Sequence, residues 1–311
     1  MPEAWGLAFG RTLLSGSKMK FALITFTFSL ETDQGTAAGP GALLEAGLAE
    51  WLREQGHVAA GPFPVEITAG DETAFGAWNK IGCANARLAR LVCEALQARA
   101  FPLILESNCY AALGVLAGLQ ASAAPAAPRL GLIWIDAHGD CNTPETTLSG
   151  MLSGMPVAMA TGLCLTRLRA QAGLDPPMES RDVVMVGVRA NDPLEQDLID
   201  RSGIEIVPVA DIKGDCRQLR AAMERLSRAA DLIYVHFDVD ALDESEVASM
   251  WLTAPDGPMS TELAAALKIL MAYPKVAAFG TADINPEKDA DGKMVQAALT
   301  VIKGAIEGVA G

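Results

Sequence analysis

Residues able to bind metal ions are concentrated in two short segments of this 311-residue chain. Each segment carries three of them at alternating positions: Asp136, His138 and Asp140 in the first, and His236, Asp238 and Asp240 in the second. Alternate side chains of an extended chain lie on the same side, so the three side chains of each segment point in the same direction. Gathered carboxylates repel one another unless a cation holds them, and hard divalent ions such as Mn²⁺ bind mixtures of carboxylate and imidazole.

A single segment of this kind has an ordinary explanation, because its side chains could cap a helix and hydrogen-bond the backbone of a loop. Two such segments favour metal binding over that explanation. If carboxylates were shared between two ions, a hydroxide bridging the ions would become the nucleophile. The pattern therefore predicts a dinuclear hydrolytic centre.

Both segments follow runs that are predicted to be β-strands. Seven short apolar runs predict strands: Phe21–Phe28, Pro102–Leu105, Leu130–Ile135, Val183–Val188, Ile204–Val207, Leu232–Phe237 and Val276–Thr281. Segments of helical periodicity separate these runs, which indicates a parallel sheet covered on both faces by helices. Ligands bind outside the carboxyl ends of the strands in such sheets. The sequence predicts one α/β domain over residues 19–311, preceded by a mobile extension over residues 1–18.

The charge balance excludes several classes of partner. The chain has 24 basic and 38 acidic residues, a formal net charge of −14. Neither a nucleic acid nor an anionic membrane surface is an expected partner, because both attract basic proteins. Residues 1–18 lack the pattern of a signal peptide, and six scattered cysteines without a CxxC pair are typical of reduced thiols. We therefore expect a cytoplasmic protein.

Four stretches of the sequence resemble the arginase/agmatinase (ureohydrolase) superfamily. Asp136–Pro156 and Phe237–Asp243 are similar to its two aspartate-rich metal signatures. Gly39–Leu43 resembles its early GPxxL turn and helix, and Asp283–Pro286 resembles its late Asp/Glu-x-Asn-Pro element. The four stretches occur in the family's order along nearly the whole chain after Met19.

The resemblance implies an arginase-like metallohydrolase: a single three-layer α/β domain with an eight-stranded parallel sheet, two Mn²⁺ ions per chain and a homo-oligomer, either trimer or hexamer. It implies hydrolysis of a carbon–nitrogen bond in a guanidino or amidino compound by a metal-bridging hydroxide. By position, Asp136 and Asp238 would bridge the two ions. His138 and Asp240 would complete the shell of one ion, and Asp140 would bind the other.

Cys109 departs from the family pattern. Counting back from Gly114, it falls where the family has a metal-binding histidine. A thiolate is a softer ligand that would shift preference toward Zn²⁺, Fe²⁺ or Co²⁺ at this position. The alternative is a buried apolar cysteine with no ligand role.

The loop after the first metal segment carries the positions that bind substrate in the family. Asn142 and Ser149 match residues that hold the amino-acid end of the substrate, and Met151 replaces the usual asparagine. Ser153 replaces the proton-shuttling histidine, a role that serine cannot fill alone because it does not titrate near neutral pH. Asp192 matches the acid that contacts the α-amino group, and it is equally suited to cap the helix that follows.

The resemblance also assigns catalytic positions. Asp283 falls where arginases have a glutamate that pairs with the guanidinium, and it is one methylene shorter. His236 faces the same side as Asp238 but deeper in its strand, so it would either orient a carboxylate or relay protons. Together with Asp140 these residues form the predicted catalytic set.

The retained Asn142, Ser149 and Asp192 favour an amino-acid-like substrate of the arginine or N-hydroxyarginine type. The absent shuttle histidine favours a leaving group that needs less protonation, as in an N-hydroxyguanidine. Two alternatives stay open at this point. One is a catalytically silent member that acts as an oligomeric scaffold or small-molecule binder with one or no metal, and the other is a deacylase that uses the same metals.

Overall fold

The computed structural model describes residues 18–30, 34–73, 75–247 and 253–311, so the predicted mobile extension lies almost wholly outside the described residues. The described chain forms one sheet of eight strands, in the order β2-β1-β3-β8-β7-β4-β5-β6. The strands are β1 (Lys20–Phe26), β2 (Val58–Pro64), β3 (Phe101–Glu106), β4 (Leu130–Ile135), β5 (Val183–Val186), β6 (Glu205–Val207), β7 (Leu232–Asp238) and β8 (Val276–Ala282). Every neighbouring pair is parallel, which confirms the predicted fold class.

Helices cover both faces of the sheet and leave its carboxyl edge open. They are α1 (Gly39–Glu45), α2 (Leu48–Glu54), α3 (Ala69–Glu72), α4 (Ala77–Gln97), α5 (Ala112–Ser122), α6 (Pro156–Ala160), α7 (Thr166–Ala172), α8 (Pro193–Ser202), α9 (Val209–Ile212), α10 (Arg217–Ala229), α11 (Glu244–Val247), α12 (Ser260–Met271) and α13 (Lys293–Ala310). Helices α2, α10, α12 and α13 contribute to one apolar core, and α4 to α7 contribute to the other. None of the helices in the described ranges is long and apolar enough to cross a membrane.

Side-chain alternation explains the two cores. Ile133 of β4 faces the first core, whereas its neighbours Leu132 and Trp134 face the second. A strand between two cores is apolar at almost every position, so its sequence reads as a continuous apolar run. This is why the seven predicted strands are all present.

The strand that the apolar pattern does not predict is β2. It lies at the edge of the sheet and pairs only with β1. All of its residues are exposed or half-buried, and it contains Gly61, Pro62 and Pro64. An edge strand tolerates proline because one side of its backbone needs no partner, and it lacks the apolar run of a covered strand.

Strand register sets the two metal segments side by side. Ile135 at the end of β4 pairs with Phe237 of β7, so Asp136 emerges beside Asp238. Strand β8 is the other neighbour of β7, and it ends one residue before Asp283. Residues far apart in sequence therefore meet at one edge of the sheet.

Candidate metal centre and substrate pocket

A cavity of about 420 Å³ opens at the carboxyl edge of the sheet. The predicted site residues that line it are Asp136, His138, Asp140, Asn142, Ser149, Ser153, Asp192, Asp238, Asp240 and Asp283. Cys109 and His236 are the predicted site residues outside this lining, and both are fully buried. Ten of the twelve predicted site residues therefore meet at one cavity, and the other two lie in the protein interior.

Asp136, His138 and Asp240 form what we call the imidazole group. One ligand atom from each lies within 4.8 Å of the others. The His138 Nδ1 atom is 2.9 Å from Asp240 Oδ2 and 3.5 Å from Asp136 Oδ1. Burial alone would lower the pKa of His138, but the two carboxylates outweigh it and raise that pKa to about 12. This corner of the cavity therefore strongly favours positive charge.

Cys109 and the carboxylates around it form the thiol group. Its potential ligand atoms make two triads: Cys109, Asp136 and Asp140, and Cys109, Asp238 and Asp283. The Cys109 Sγ atom lies 2.9 Å from Asp238 Oδ2 and 3.2 Å from Asp283 Oδ2. Asp136 belongs to both the thiol group and the imidazole group, so one carboxylate joins two sets of ligands.

The electrostatics of these groups fit divalent cations. Burial raises the pKa of Asp136, Asp140 and Asp238 well above the ordinary value, and neighbouring carboxylates raise each further. Burial also raises the pKa of the Cys109 thiol, with additional contributions from Asp238 and Asp283. A divalent cation reverses this balance because it favours deprotonated ligands. Carboxylates with one imidazole and one thiol are a donor set that divalent ions accept.

The two metal segments fold locally in the same way. Asp136 Oδ1 accepts the N–H of His138 at 2.6 Å, and Asp238 Oδ1 accepts the N–H of Asp240 at 2.8 Å. Such a turn, in which a side chain bonds the backbone two residues on, is a common role of aspartate. The backbone hydrogen bonding expected of a simple loop is therefore present, and it engages one oxygen of each carboxylate.

Two acids of the site have backbone conformations that L-residues rarely adopt. Asp140 has φ +46° and Asp283 has φ +60°. Left-handed backbone is unfavourable for residues other than glycine, and it persists where the surroundings fix it. Both side chains are thereby directed by their turns into the cavity wall.

Asp192 organises the substrate loop. Its Oδ2 atom accepts hydrogen bonds from Asn142 Nδ2 at 3.2 Å and from the Leu148 N–H at 3.3 Å. The same residue is the N-cap of α8, and its own N–H donates to Glu195 Oε2 at 3.2 Å. Ser149 Oγ accepts the N–H of Met151 at 3.2 Å. The position of Asp192 as a cap and its place in the cavity wall therefore coexist.

Glu195 is a cavity residue that was not predicted from the sequence. It is buried, and its Oε1 atom accepts the Cys141 N–H at 2.8 Å, directly after Asp140. Burial raises the pKa of this carboxyl. Its position three residues after Asp192, in the first turn of a predicted helix, was the available signal, because a carboxylate there completes a capping box.

His236 lies against the thiol of Cys109. Its Nε2 atom is 3.4 Å from Cys109 Sγ, and its Nδ1 atom is 3.0 Å from the Tyr234 hydroxyl. The ring stacks on Trp134 at 3.9 Å between centroids. Burial lowers the pKa of His236 to about 3, so the imidazole is neutral. Its Nδ1 atom also lies 3.5 Å from Glu106 Oε2, so His236 contacts a carboxyl group, as predicted, and the thiol as well.

Comparisons with known proteins agree with this architecture. A model of the arginase family matches residues 19–306. An arginase from Bacillus caldovelox is 29% identical over 281 residues, which cover 88% of this chain and 92% of that protein. The structure of an arginase from Bacillus subtilis superposes with a TM-score of 0.82 at 26% identity, covering 93% of this chain and 98% of the other. A formimidoylglutamase from Bacillus subtilis shares the fold, with a TM-score of 0.74 at 18% identity over 96% of this chain and 89% of the other.

Proposed function

This chain belongs to the arginase family, and on that premise we propose that it hydrolyses a carbon–nitrogen bond of a small guanidino compound with two divalent metal ions. Members of this family are ureohydrolases, which act on linear amidines. The observation that carries the proposal is that Asp136 belongs to two sets of metal ligands at once. A carboxylate shared in this way is what a pair of adjacent ions requires.

The imidazole group would hold one ion and the thiol group the other, with Asp136 and Asp238 between them. When bound, such a pair lowers the pKa of water and so supplies a nucleophile at neutral pH. We propose Mn²⁺ for both positions, since most of the ligands are hard carboxylate oxygens. The Cys109 sulfur would favour Zn²⁺, Fe²⁺ or Co²⁺ at its own position.

The charge of the cavity supports a cationic substrate head. Carboxylates dominate the lining, and no lysine or arginine lines the cavity within the described ranges. A guanidinium would be drawn into such a cavity. Asp283 stands beside the ligands and would pair with this cation, at a shorter reach than glutamate would have. Asp140 would accept the proton that the attacking water loses.

The opposite wall supports an amino-acid-like tail. Asp192 carries a carboxylate for an α-ammonium group, and it already holds the loop that bears Asn142 and Ser149. The amide of Asn142 and the hydroxyl of Ser149 are suited to a carboxylate. Fixed polar groups of this kind orient a substrate and give specificity.

The chemistry of the leaving group further restricts the class of substrate that we propose. Ser153 lines the cavity in place of a titratable side chain, so it offers no acid that can protonate a departing amine at neutral pH. An N-hydroxyguanidine releases a less basic nitrogen, which needs less protonation. We therefore propose N-hydroxyarginine ahead of arginine as the substrate type.

The cellular compartment and the oligomeric state of the enzyme are also proposals. None of the six cysteines forms a disulfide in the structure, which supports a reducing compartment such as the cytoplasm. A trimer or hexamer is the assembly that we expect from the family.

Metal content and turnover, measured together, test the proposed function. We would load the protein with Mn²⁺, remove the excess, count the ions per chain by elemental analysis, and assay N-hydroxyarginine, arginine and an acylated diamine. The matched variants are Asp238→Ala, in the centre, and Asp215→Ala, on the surface beside Arg217. We expect two ions and guanidino turnover in the wild type and the Asp215 variant, and neither in the Asp238 variant.

Other outcomes would select the alternatives. Turnover of the acylated amine alone would identify a deacylase. Two bound ions without turnover of any compound would favour the silent binder, and no bound ion would contradict the proposed centre. The complete set of buried carboxylates argues against the silent binder, since a protein without the ions would gain nothing from their repulsion.

A further inference from the structure

A row of buried polar side chains lies behind the metal centre, and we call it the polar column. It consists of Glu106 at the end of β3 and Tyr234 and His236 of β7, and it ends at Cys109. The Tyr234 hydroxyl lies 2.6 Å from Glu106 Oε1 and 3.0 Å from His236 Nδ1. The His236 Nε2 atom lies 3.4 Å from Cys109 Sγ. All four side chains are at most 1% exposed.

The surrounding core is shaped to hold this column. Gly280 of β8 lies between β3 and β7, opposite His236 in the register. A Cβ atom at this position would overlap both the Glu106 carboxyl and the Tyr234 hydroxyl. Buried polar groups destabilise a core unless they are hydrogen-bonded, so four of them in contact, in a space kept free by a glycine, indicate a specific role.

The column is also connected to the other set of ligands. Trp134 of β4 stacks on the His236 ring, with an angle of 14° between the planes. The Nε1–H of the same indole donates to Asp136 Oδ2 at 3.0 Å. One side chain therefore holds both the imidazole that faces Cys109 and the carboxylate shared by the two groups.

The hydrogen bonds can run in one direction through the column. Burial raises the pKa of Glu106 well above its ordinary value, which favours the neutral acid. Its Oε2 atom lies 3.5 Å from His236 Nδ1 and makes no hydrogen bond among the described residues, a setting that a neutral acid tolerates better than a carboxylate. The Tyr234 hydroxyl has one hydrogen, which it can donate either to Glu106 Oε1 or to His236 Nδ1. When Glu106 is the neutral acid and itself donates to the Tyr234 oxygen, that hydrogen is left for His236 Nδ1. The remaining N–H of the imidazole is on Nε2, which faces the sulfur.

We propose that Glu106, Tyr234 and His236 are positioning residues that direct an N–H donor at Cys109 Sγ and so fit a thiolate to the metal centre. This inference rests on the proposed function, because it assumes that Cys109 binds an ion. An imidazole ligand carries a second nitrogen through which the protein can orient it. A thiolate has no second nitrogen, so a hydrogen bond to the sulfur itself is the polar contact through which the protein can support it. Such a donor also offsets part of the negative charge of the sulfur among the carboxylates.

Cobalt spectroscopy tests this inference separately from activity. A thiolate bound to Co²⁺ gives a near-ultraviolet charge-transfer band, which the position of the sulfur determines. We would titrate the full chain with Co²⁺ and record this band in the wild type, Cys109→Ser, Tyr234→Phe and a matched control, Tyr273→Phe, outside the column. We expect the band in the wild type and the control and its loss in the serine variant. In Tyr234→Phe we expect a shifted band and Co²⁺ affinity weakened roughly 10-fold to 100-fold.

Two variants of Glu106 distinguish positioning from mere packing. The amide of Glu106→Gln can still donate to the Tyr234 oxygen, so we expect its band to stay at the wild-type position. Glu106→Leu cannot donate, and we expect the same shift as in Tyr234→Phe. Circular dichroism at the same temperature establishes that each variant is folded.

Three results would overturn the inference in distinguishable ways. A wild-type band in both folded Tyr234→Phe and folded Glu106→Leu would exclude positioning by the column. Two bound Co²⁺ ions without a charge-transfer band in the wild type would exclude Cys109 as a ligand, while the proposed hydrolase would remain. No bound Co²⁺ or Mn²⁺ in the wild type would remove the proposed function and this inference together.

Discussion

The imidazole group and the thiol group occupy neighbouring strand ends, yet the protein supports them differently. His138 is partly exposed to the cavity and is held from the front by Asp136 and Asp240. Cys109 is fully buried and is contacted from behind by His236, which continues into Glu106 and Tyr234. The comparison teaches that a ligand and its support form one unit. Behind Cys109, whose thiol would offer a metal ion a single donor atom, the core is polar.

Replacing the shared carboxylate, Asp136, is expected to have the largest effect on the two groups. Asp136→Asn removes charge from both groups at once, so we expect the loss of both ions. Several kcal/mol of transition-state stabilisation by the metals corresponds to a fall in kcat of roughly 10³-fold or more. Elemental analysis and steady-state assays measure the two effects, with Asp215→Asn as the surface control. Retention of one ion at full occupancy would show that the groups do not share this ligand.

Removing one ligand from each group separates the two positions. Cys109→Ala and His138→Ala are each expected to weaken one of the two ions, by roughly 10-fold to 100-fold or more in affinity. The preference for Zn²⁺ over Mn²⁺ should fall in the cysteine variant alone, because the sulfur is the only soft ligand in the two groups. Competition titrations with both metals measure this preference. Equal selectivity in the two variants would contradict a ligand role for the thiol.

Converting the thiol group into a second imidazole group tests whether its support is specific. In Cys109→His the larger ring would meet the His236 ring, whose Nε2 atom is 3.4 Å from the present sulfur. Overpacking of this kind destabilises a protein by about 1–3 kcal/mol. We expect the double variant with His236→Ala to recover part of this loss in urea unfolding. If the loss of stability in the double variant equals the sum of the losses in the two single variants, the side chains at positions 109 and 236 do not interact.

The smallest expected effect concerns the link between the two groups. Trp134→Phe keeps a ring to stack on His236 but removes the N–H that Asp136 accepts. One hydrogen bond contributes about 1 kcal/mol, so we expect metal binding to weaken roughly fivefold in both groups together. Isothermal titration measures both sites in one experiment. A loss confined to the thiol group would assign the indole to the polar column alone.

The strands were predictable where both of their faces are buried, because burial makes their sequences apolar. Strands β4 and β7 are apolar at nearly every position because both faces are covered, and the aspartates that follow them stand out. The start of α12 was less well defined. Ser260 is of a residue type that is common at N-caps, but it lies in the first turn, where Glu246 accepts its N–H and hydroxyl at 2.6 and 2.8 Å. Met259 is the cap residue instead.

The polar column was not predictable from the sequence. Glu106 and Tyr234 are 128 positions apart, and neither was predicted as a site residue. A tyrosine within an apolar run indicates only a strand, and a glutamate at a strand end is ordinarily solvated. Their contact depends on β3 and β7 flanking β8, which is a property of strand order. Sequence spacing locates ligands on one strand, whereas the support behind them comes from several.

Gly280 restricts which substitutions the column can accept. Because the Glu106 carboxyl and the Tyr234 hydroxyl fill the space where its side chain would be, a larger residue at 280 is incompatible with both partners in their present positions. Loss of the glycine would therefore have to follow, or accompany, a change at position 106 or 234. Among related sequences, a glycine here should covary with a glutamate at the end of β3 and a cysteine three residues later. That coupled substitution would mark the lineage in which a thiol took the place of an imidazole.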